Sequence, residues 1–462
     1  MPTFENSIEI KYPRESVFDW YASRGAFNRV MPEWEKLTPL EFTGGFKDGT
    51  RNTFRMRIGP FPKKWVAEHS GLIDGYQFHD SMKKGPFSKW EHTHIFEDIQ
   101  DGCKVIDRIE WKLPFHILTS PFGSRIVTGR MKNIFRHRNR RLVADLKRHN
   151  NFKGEPKKRI LVTGSTGLIG EQLCCFLNTG GHQVVRLARP ETKLPPDPGE
   201  VIHWDPESGE LSSGSLEGFD AVIHLAGAGI GDKRWSKKRK SLIRDSRVGP
   251  TNRLCILLSE LENPPEVFLS ASAIGWYGDR GDEEVNEDSA SGKGFLPDVC
   301  QEWEDATAPA SNSGIRVVKF RSGVVVTPIG GMLSKIIFPT KMGAGGPISN
   351  GKQYLSWISL DDEIYAIHHL LMRGDLGGAY NLTAPMPVMQ KQFAKILGKV
   401  LWRPSFAPLP KPIVLLMFGE MGRRLLLEGQ RVSPNKLIES GYVFEHQNLE
   451  SCLRDALGRW RD

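Results

Sequence analysis

Cysteine is scarce: six in 462 residues, at positions 103, 174, 175, 255, 300 and 452. None stands in a CxxC pair, so a cysteine-built zinc site is not expected, and no metal site is assigned. The first residues, MPTFEN, show no basic stretch followed by an apolar run, so no secretion leader is expected. Few cysteines and no leader suit a reducing cytoplasm. No run of about 18 apolar residues occurs, so no membrane span is predicted. The longest notable run, Ile413 to Phe418, has six residues. Repeats at solenoid or propeller periods are missing too.

What is present is globular composition. Hydrophobic residues make 39% and charged residues 25%, with 24 Phe and 12 Trp, ample for a core. At roughly 100–200 residues per domain, this length predicts two or three domains.

The net charge of +9 is not spread evenly. Thirteen Lys and Arg fall between Arg125 and Arg159, against only Asp145 and Glu155. This one segment carries more than the whole basic excess. It also has helical periodicity: Val127, Met131, Ile134, Phe135, Leu142, Val143 and Leu146 recur at three- and four-residue steps. The basic face suits either an anionic membrane surface or a plain solvated exterior. Aromatic residues interleaved for single-stranded nucleic acid are missing, so nucleic acid is not an expected partner.

The chain divides near residue 155. Before it, Phe4 to Lys11, Arg51 to Ile58, Trp65 to Leu72, Trp90 to Phe96 and Cys103 to Leu113 read as strands. A short helix follows Pro13-Arg14-Glu15-Ser16, and the basic helix at 123–149 closes the region. This is an α+β pattern. With the opening IEI…PRESVFDW, it resembles the START-like superfamily, also called SRPBCC or polyketide-cyclase-like. The resemblance implies a helix-grip sheet wrapped around the terminal helix and enclosing an apolar ligand. Phe54, Met56, Trp65, Trp90, Phe96 and Trp111 either line that cavity or belong to the core.

A polar linker at 151–158 leads to Arg159–Thr163, a short apolar run suited to a buried parallel strand. Gly164-Ser165-Thr166-Gly167-Leu168-Ile169-Gly170 follows, then a helical stretch, then a second strand, Gln183 to Ala188. This is a βαβ unit with its glycines at the first turn. Gly164 allows the turn, Gly167 lets backbone approach a pyrophosphate, and Gly170 lets helix pack on strand. An acidic residue after the second strand would select NAD; Arg189 stands there, which favours NADP. Later apolar runs also end in small residues: Leu225-Ala226-Gly227, Ser270-Ala271-Ser272 and Arg321-Ser322-Gly323. Strand ends facing a ligand have this look.

From 159 onward the chain resembles the extended short-chain dehydrogenase/reductase superfamily, NAD(P)-dependent epimerase/dehydratase branch. TGSTGLIG (163–170), HLAGAGI (224–230), SASAIGWYGDRGDE (270–283) and WISLDD (357–362) carry the resemblance. The segment Phe418 to Phe444 resembles that group's small C-terminal domain of unknown function. The expected fold class is thus α/β. An N-terminal α+β START-like domain (1–150) and a linker precede a doubly wound parallel-sheet Rossmann domain (159–405), and a small helical domain (406–462) ends the chain.

The resemblance implies general acid–base work around a hydride transfer, through a Ser…YxxxK layout. Here this sequence departs. The Tyr position falls near Leu296 and the Lys position near Cys300. Candidate catalytic residues are Ser272 (with Ser270 as the alternative register), Tyr277, Cys300 as a nucleophile or an inert thiol, and Arg247 as a replacement positive charge. Gly164 to Gly170, Arg189, Leu225, Ala226, Gly227, Ser270 and Ala271 are expected at the cofactor. Trp235, Trp276, Arg321 and Trp357 are expected at the substrate, and Asp361 or Asp362 at a helix start. Two readings follow. One is an NADP-dependent oxidoreductase or epimerase acting on a small molecule, with homodimer formation allowed. The other is a non-catalytic NADP-binding sensor or scaffold.

Overall fold

The structure is a computed structural model describing residues 2–43, 45–58, 61–114, 116–207, 211 and 213–460. The chain forms two compact units. One is built on Met1–Glu155, with Cys174–His182 and Lys193–Pro198 grouped with it; the other comprises Pro156–Leu173, Gln183–Thr192 and Gly199–Asp462.

In the first unit seven strands pair antiparallel: β1 (Thr3–Ile10), β2 (Thr38–Thr43), β3 (Arg51–Ile58), β4 (Phe61–Ile73), β5 (Gln77–Lys84), β6 (Lys89–Ile99) and β7 (Gly102–Lys112). Their order is β1-β7-β6-β5-β4-β3-β2. Period-two alternation sets the faces. Along β7, Cys103, Val105, Asp107, Ile109 and Trp111 point inward and are buried. Along β6 the inward row is His92, His94 and Phe96. Helices α1 (Arg14–Ala22) and α2 (Ala26–Val30) follow β1, and α3 (His116–Asn150) follows β7. Met131 and Phe135 of α3 pack on Phe4, Ile109 and Trp111. Leu142 and Leu146 pack on Val17, Phe18 and Val105. This is the helix-grip arrangement expected from the sequence.

The basic face of α3 is not simply an exterior. Arg138, Arg141 and Arg148 are buried. Arg141 pairs with Glu33 at 3.4 Å, and Arg130 pairs with Glu35. The fully buried Arg29 makes two hydrogen bonds, 2.6 and 3.0 Å, to the fully buried Asp145. Part of the local basic charge is therefore internal, while Lys132, Arg136, Arg140 and Lys147 stay exposed. Val143, expected on the apolar face, is exposed instead.

In the second unit the sheet is parallel. Its strands are β8 (Arg159–Thr163), β9 (Gln183–Ala188), β10 (Glu200–His203), β11 (Ala221–His224), β12 (Val267–Ala273), β13 (Arg316–Ser322) and β14 (Gly378–Leu382), in the order β10-β9-β8-β11-β12-β13-β14. Helices α4 (Leu168–Thr179), α5 (Lys237–Asp245), α6 (Val248–Ser259) and α7 (Phe295–Asp305) connect them. The strand order reverses between β8 and β11, the place where doubly wound sheets open a crevice for a nucleotide. The core under this sheet joins Leu161, Val185, Val222, Leu254 and Phe268. At the C-terminus, the helix Leu449–Ala456 places Leu449, Cys452 and Leu453 in one cluster with Trp357, Phe393 and Leu397. No helix among the described residues is long and apolar enough to cross a membrane.

Candidate functional site

The turn after β8 is closed by glycine. Gly164 has φ +63, and a Cβ there would lie 2.7 Å from the Leu225 backbone carbon. A Cβ on Gly170 would lie 2.2 Å from the Gly164 oxygen, so no larger residue fits while helix and turn keep this contact. Thr166 and Gly167 are exposed at the mouth of the turn, and α4 begins at once, so that its N-terminus, which favours an anion, lies beside them. Leu168 and Ile169 are half-buried. Ser165 is buried, and its Oγ has no hydrogen-bond partner among the described residues. An orphaned hydroxyl beside glycines held bare of side chains fits a phosphate-bearing cofactor.

The sequence reading missed the residues that hold this turn. Arg186, buried in β9, donates from Nη1 to the Ser165 carbonyl at 2.6 Å and to Glu171 at 3.0 Å. A lone arginine inside an apolar strand was the available signal. His224, in register with Thr163, joins a second brace. Its Nδ1 lies 2.8 Å from Thr163 Oγ1 and its Nε2 2.9 Å from Thr251 Oγ1. Thr251 gives its own proton to the Arg247 carbonyl at 2.6 Å and accepts from Trp303 Nε1 at 3.0 Å. Nε2 of His224 therefore carries the hydrogen and Nδ1 accepts. Thr163 Oγ1 in turn accepts the Leu225 N–H at 3.1 Å, fixing the end of β11.

Burial pushes the His224 imidazole down to about 4, from 6.5. Between those values the unfolded chain binds a proton that the folded one refuses. Stability from this group is full above about pH 6.5 and falls as pH drops toward 4, by on the order of 3 kcal/mol. Denaturant titrations of the wild type across pH 4–7 should show that loss, and His224→Asn should flatten it.

Arg189 follows β9 half-exposed, with Glu207 3.7 Å away, a loose surface pair that leaves the guanidinium usable. Leu225 and Ala226 are half-buried and Gly227 is exposed at the end of β11. Arg247 donates to the Ala228 carbonyl at 2.9 Å and the Ile243 carbonyl at 2.8 Å. A Cβ on Gly227 would lie 3.0 Å from its Cζ. Ala271 is half-buried, whereas Ser270 is buried with its Oγ on the Ala271 carbonyl at 3.3 Å.

Across the ends of β12, β13 and β14, Ser272, Arg321 and Asn381 are register neighbours. They form one buried network. Ser272 Oγ donates to Glu304 Oε1 at 2.7 Å. Arg321 donates to both Glu304 oxygens at 2.8 and 3.0 Å, and to the Tyr277 hydroxyl at 3.0 Å. Tyr277 donates to Asn381 Oδ1 at 2.8 Å. The Trp276 ring lies 3.9 Å from the Arg321 guanidinium, and its Nε1 is buried with no hydrogen-bond partner among the described residues.

Several expectations need correction. Tyr277 is fully buried, and burial raises its phenol, so it packs the network rather than facing a substrate. Burial pushes the Cys300 thiol up to about 12, and its Sγ rests 3.7 Å from the Ala273 carbonyl, the surroundings of a packed thiol rather than an activated one. Trp357 is fully buried with Nε1 on the Met386 carbonyl at 2.9 Å. Trp235 is buried against Phe295, its Nε1 on the Ile230 carbonyl at 2.9 Å. Both are packing residues. Arg321 is committed to Glu304 and Tyr277 rather than open to a ligand. The helix start expected at Asp361 or Asp362 is capped instead by Ser359, whose Oγ accepts the Asp362 N–H at 2.9 Å and donates to Asp362 Oδ2 at 2.8 Å. Asp362 also accepts the backbone N–H groups of Glu445 and His446.

The model of the NAD dependent epimerase/dehydratase family matches residues 160–383. A polyketide cyclase/dehydrase and lipid transport model matches 10–147, and a domain of unknown function matches 409–456. The chain is 39% identical to the epimerase family protein Mb2239 of Mycobacterium bovis over 300 residues, 65% of this chain and 98% of that protein. It resembles a solved structure described as the nucleoside-diphosphate sugar epimerase of Corynebacterium glutamicum, with TM-score 0.79 and 32% identity over 98% of this chain and 90% of that one. The human epimerase family protein SDR39U1, solved with NADPH, matches with TM-score 0.59 and 31% identity, covering 65% of this chain and all of that one. Identity of 39% across nearly the whole of a relative goes beyond a shared fold, and the chain belongs to the NAD dependent epimerase/dehydratase family.

Proposed function

We propose that the second unit binds NADP(H) and acts as an oxidoreductase or epimerase on a small molecule. The observation that carries the cofactor is Arg189 at the end of β9, where an acidic residue would serve NAD. The human relative solved with NADPH supports it. The turn 164–170 would hold the pyrophosphate and Arg189 the 2′-phosphate, and the bound nicotinamide supplies hydride exchange. Arg247, against Gly227, replaces the missing lysine as fixed positive charge. Ser272, oriented by Glu304, is the hydroxyl assigned to proton exchange, and Trp276 Nε1 is a donor for a substrate oxygen. Nucleotide sugars are the first substrates to try, given the relative from Corynebacterium glutamicum.

The Arg189→Asp variant tests the cofactor. Losing a charge-assisted contact of about 1.5–3 kcal/mol should cut NADPH affinity relative to NADH roughly 10- to 100-fold in fluorescence titrations. An unchanged ratio would overturn the assignment. A second reading, NADP binding without turnover, is favoured by one observation: the usual Tyr and Lys positions hold Leu296 and the buried Cys300.

The first unit contains a cavity of about 570 Å³, the size of small-molecule sites, lined in part by Phe54, Met56, Trp65 and Trp90. We assign it an apolar ligand. Phe96 and Trp111, expected at the same wall, lie in the core clusters instead. All six cysteines are buried, in keeping with a cytoplasmic setting.

A further inference from the structure

We propose that the N-terminal cavity carries a transition-metal site made by Asp80, His92 and His94. Nothing in the epimerase reading requires it. The three residues come from adjacent strands: Asp80 of β5 lies in register with His92 of β6, and His94 with Asp107 of β7. His92 and His94 are two residues apart and so share one face. All three line the cavity. One donor atom from each lies within 4.8 Å of the others. His94 Nε2 stands 3.4 Å from Asp80 Oδ2. Two donors on a tetrahedral ion, each about 2.0–2.2 Å from it, stand roughly 3.3–3.5 Å apart, so this edge is already set for a metal.

The surroundings are those of a built site. Asp107 is buried behind the histidines, and its Oδ1 lies 2.9 Å from His92 Nε2 and 2.8 Å from His94 Nδ1. The carboxylate hydrogen-bonds His92 Nε2, as the outer partner of a metal-bound histidine does, and leaves Nδ1 of His92 as the donor. Its contact with His94 Nδ1 lacks hydrogen-bond geometry, and Nε2 of His94 is the atom facing Asp80. Arg138 Nη2, 3.9 Å from the same oxygen, balances the Asp107 charge, so Asp80 is the carboxylate left for the ion. The second oxygen of Asp80 is held by His69 Nδ1 at 3.2 Å. Two imidazoles and one carboxylate suit Zn²⁺, Fe²⁺ or Co²⁺. Three protein donors leave a position open, and it faces an apolar cavity. A bound molecule with one oxygen donor on an apolar body would complete the coordination there.

The test uses the full chain, stripped with chelator and titrated calorimetrically with Zn²⁺ and Co²⁺, and anaerobically with Fe²⁺. The expected result is one equivalent bound, with Co²⁺ giving the visible bands of four- or five-coordinate geometry. His94→Ala and Asp80→Asn should each abolish those bands. Asp107→Asn should weaken binding about 10- to 100-fold. His79→Ala, a half-exposed histidine paired with Glu91 on the same sheet, should change nothing. Asp80 is only half-buried, so its asparagine variant keeps the test decisive if a histidine variant fails to fold. No uptake by the wild type overturns the proposal, as does uptake unchanged by Asp80→Asn or lost in His79→Ala.

Discussion

Glu304→Ala should destabilise the second unit by about 3–5 kcal/mol. Glu304 is 5% exposed and Arg321 3%, so neither charge can turn to water. Three hydrogen bonds converge on the carboxylate, one from Ser272 and two from Arg321. Removing it strands a guanidinium on the Tyr277 hydroxyl and the Trp276 ring. Breaking a buried pair from one side costs far more than the pair's net worth, because the remaining charge stays desolvated. At about 2–4 °C per kcal/mol for a unit of this size, thermal melts should show a drop of roughly 10 °C. Replacing both partners with apolar residues, Glu304→Leu with Arg321→Met, should recover most of that loss. The Ser272 hydroxyl would still lack its acceptor. A single-variant effect under 1 kcal/mol would mean the network is open to solvent.

The second large effect depends on pH. Glu363, in the helix Leu360–Met372, is fully buried. Ser322 Oγ donates to its Oε1 at 2.5 Å, and Oε2 has no hydrogen-bond partner among the described residues. Burial pushes this carboxyl up to about 8, from 4.5. Between those values the unfolded chain releases a proton that the folded one keeps. The neutral form is therefore at no disadvantage below about pH 4.5, and stability falls as pH rises toward 8, by on the order of 4 kcal/mol. Glu363→Gln keeps the shape and removes the titration. Its stability advantage over the wild type should be small at pH 5 and grow to several kcal/mol at pH 8, read by denaturant midpoints. An advantage that stays flat with pH would show that the carboxyl ionises freely in the folded state. The His224 effect runs in the opposite direction, so only the difference between each variant and the wild type isolates its group.

The glycine turn after β8 was legible because its demands are local. A positive φ at Gly164 and a close approach at Gly170 can be read from three glycines between two apolar strands. The long helix α3 was legible from its three- and four-residue spacing. Strands β2 and β5 were not. β2 carries Pro39, and β5 (QFHDSMKK) is mostly polar with only Phe78 buried, so neither shows clean alternation. The network at the strand ends was invisible for another reason. Ser272, Arg321 and Asn381 are far apart in sequence, and only the parallel register makes them neighbours. Choosing aromatics as substrate contacts failed at Trp235 and Trp357 because large aromatic residues are mostly core. The basic segment misled in part because composition cannot show that Glu33 and Glu35 meet its Arg141 and Arg130, or that its own Asp145 pairs with Arg29 in the core.

The claim that the glycine turn and Arg189 form an NADP(H) site is tested most directly by titrating the full chain with NADPH and with NADH, following nicotinamide fluorescence. Saturable binding of NADPH at one site per chain is expected. NADH should bind at least about tenfold more weakly, the effect of one charge-assisted contact of about 1.4 kcal/mol. Equal affinity for the two, or no binding of either, would contradict it.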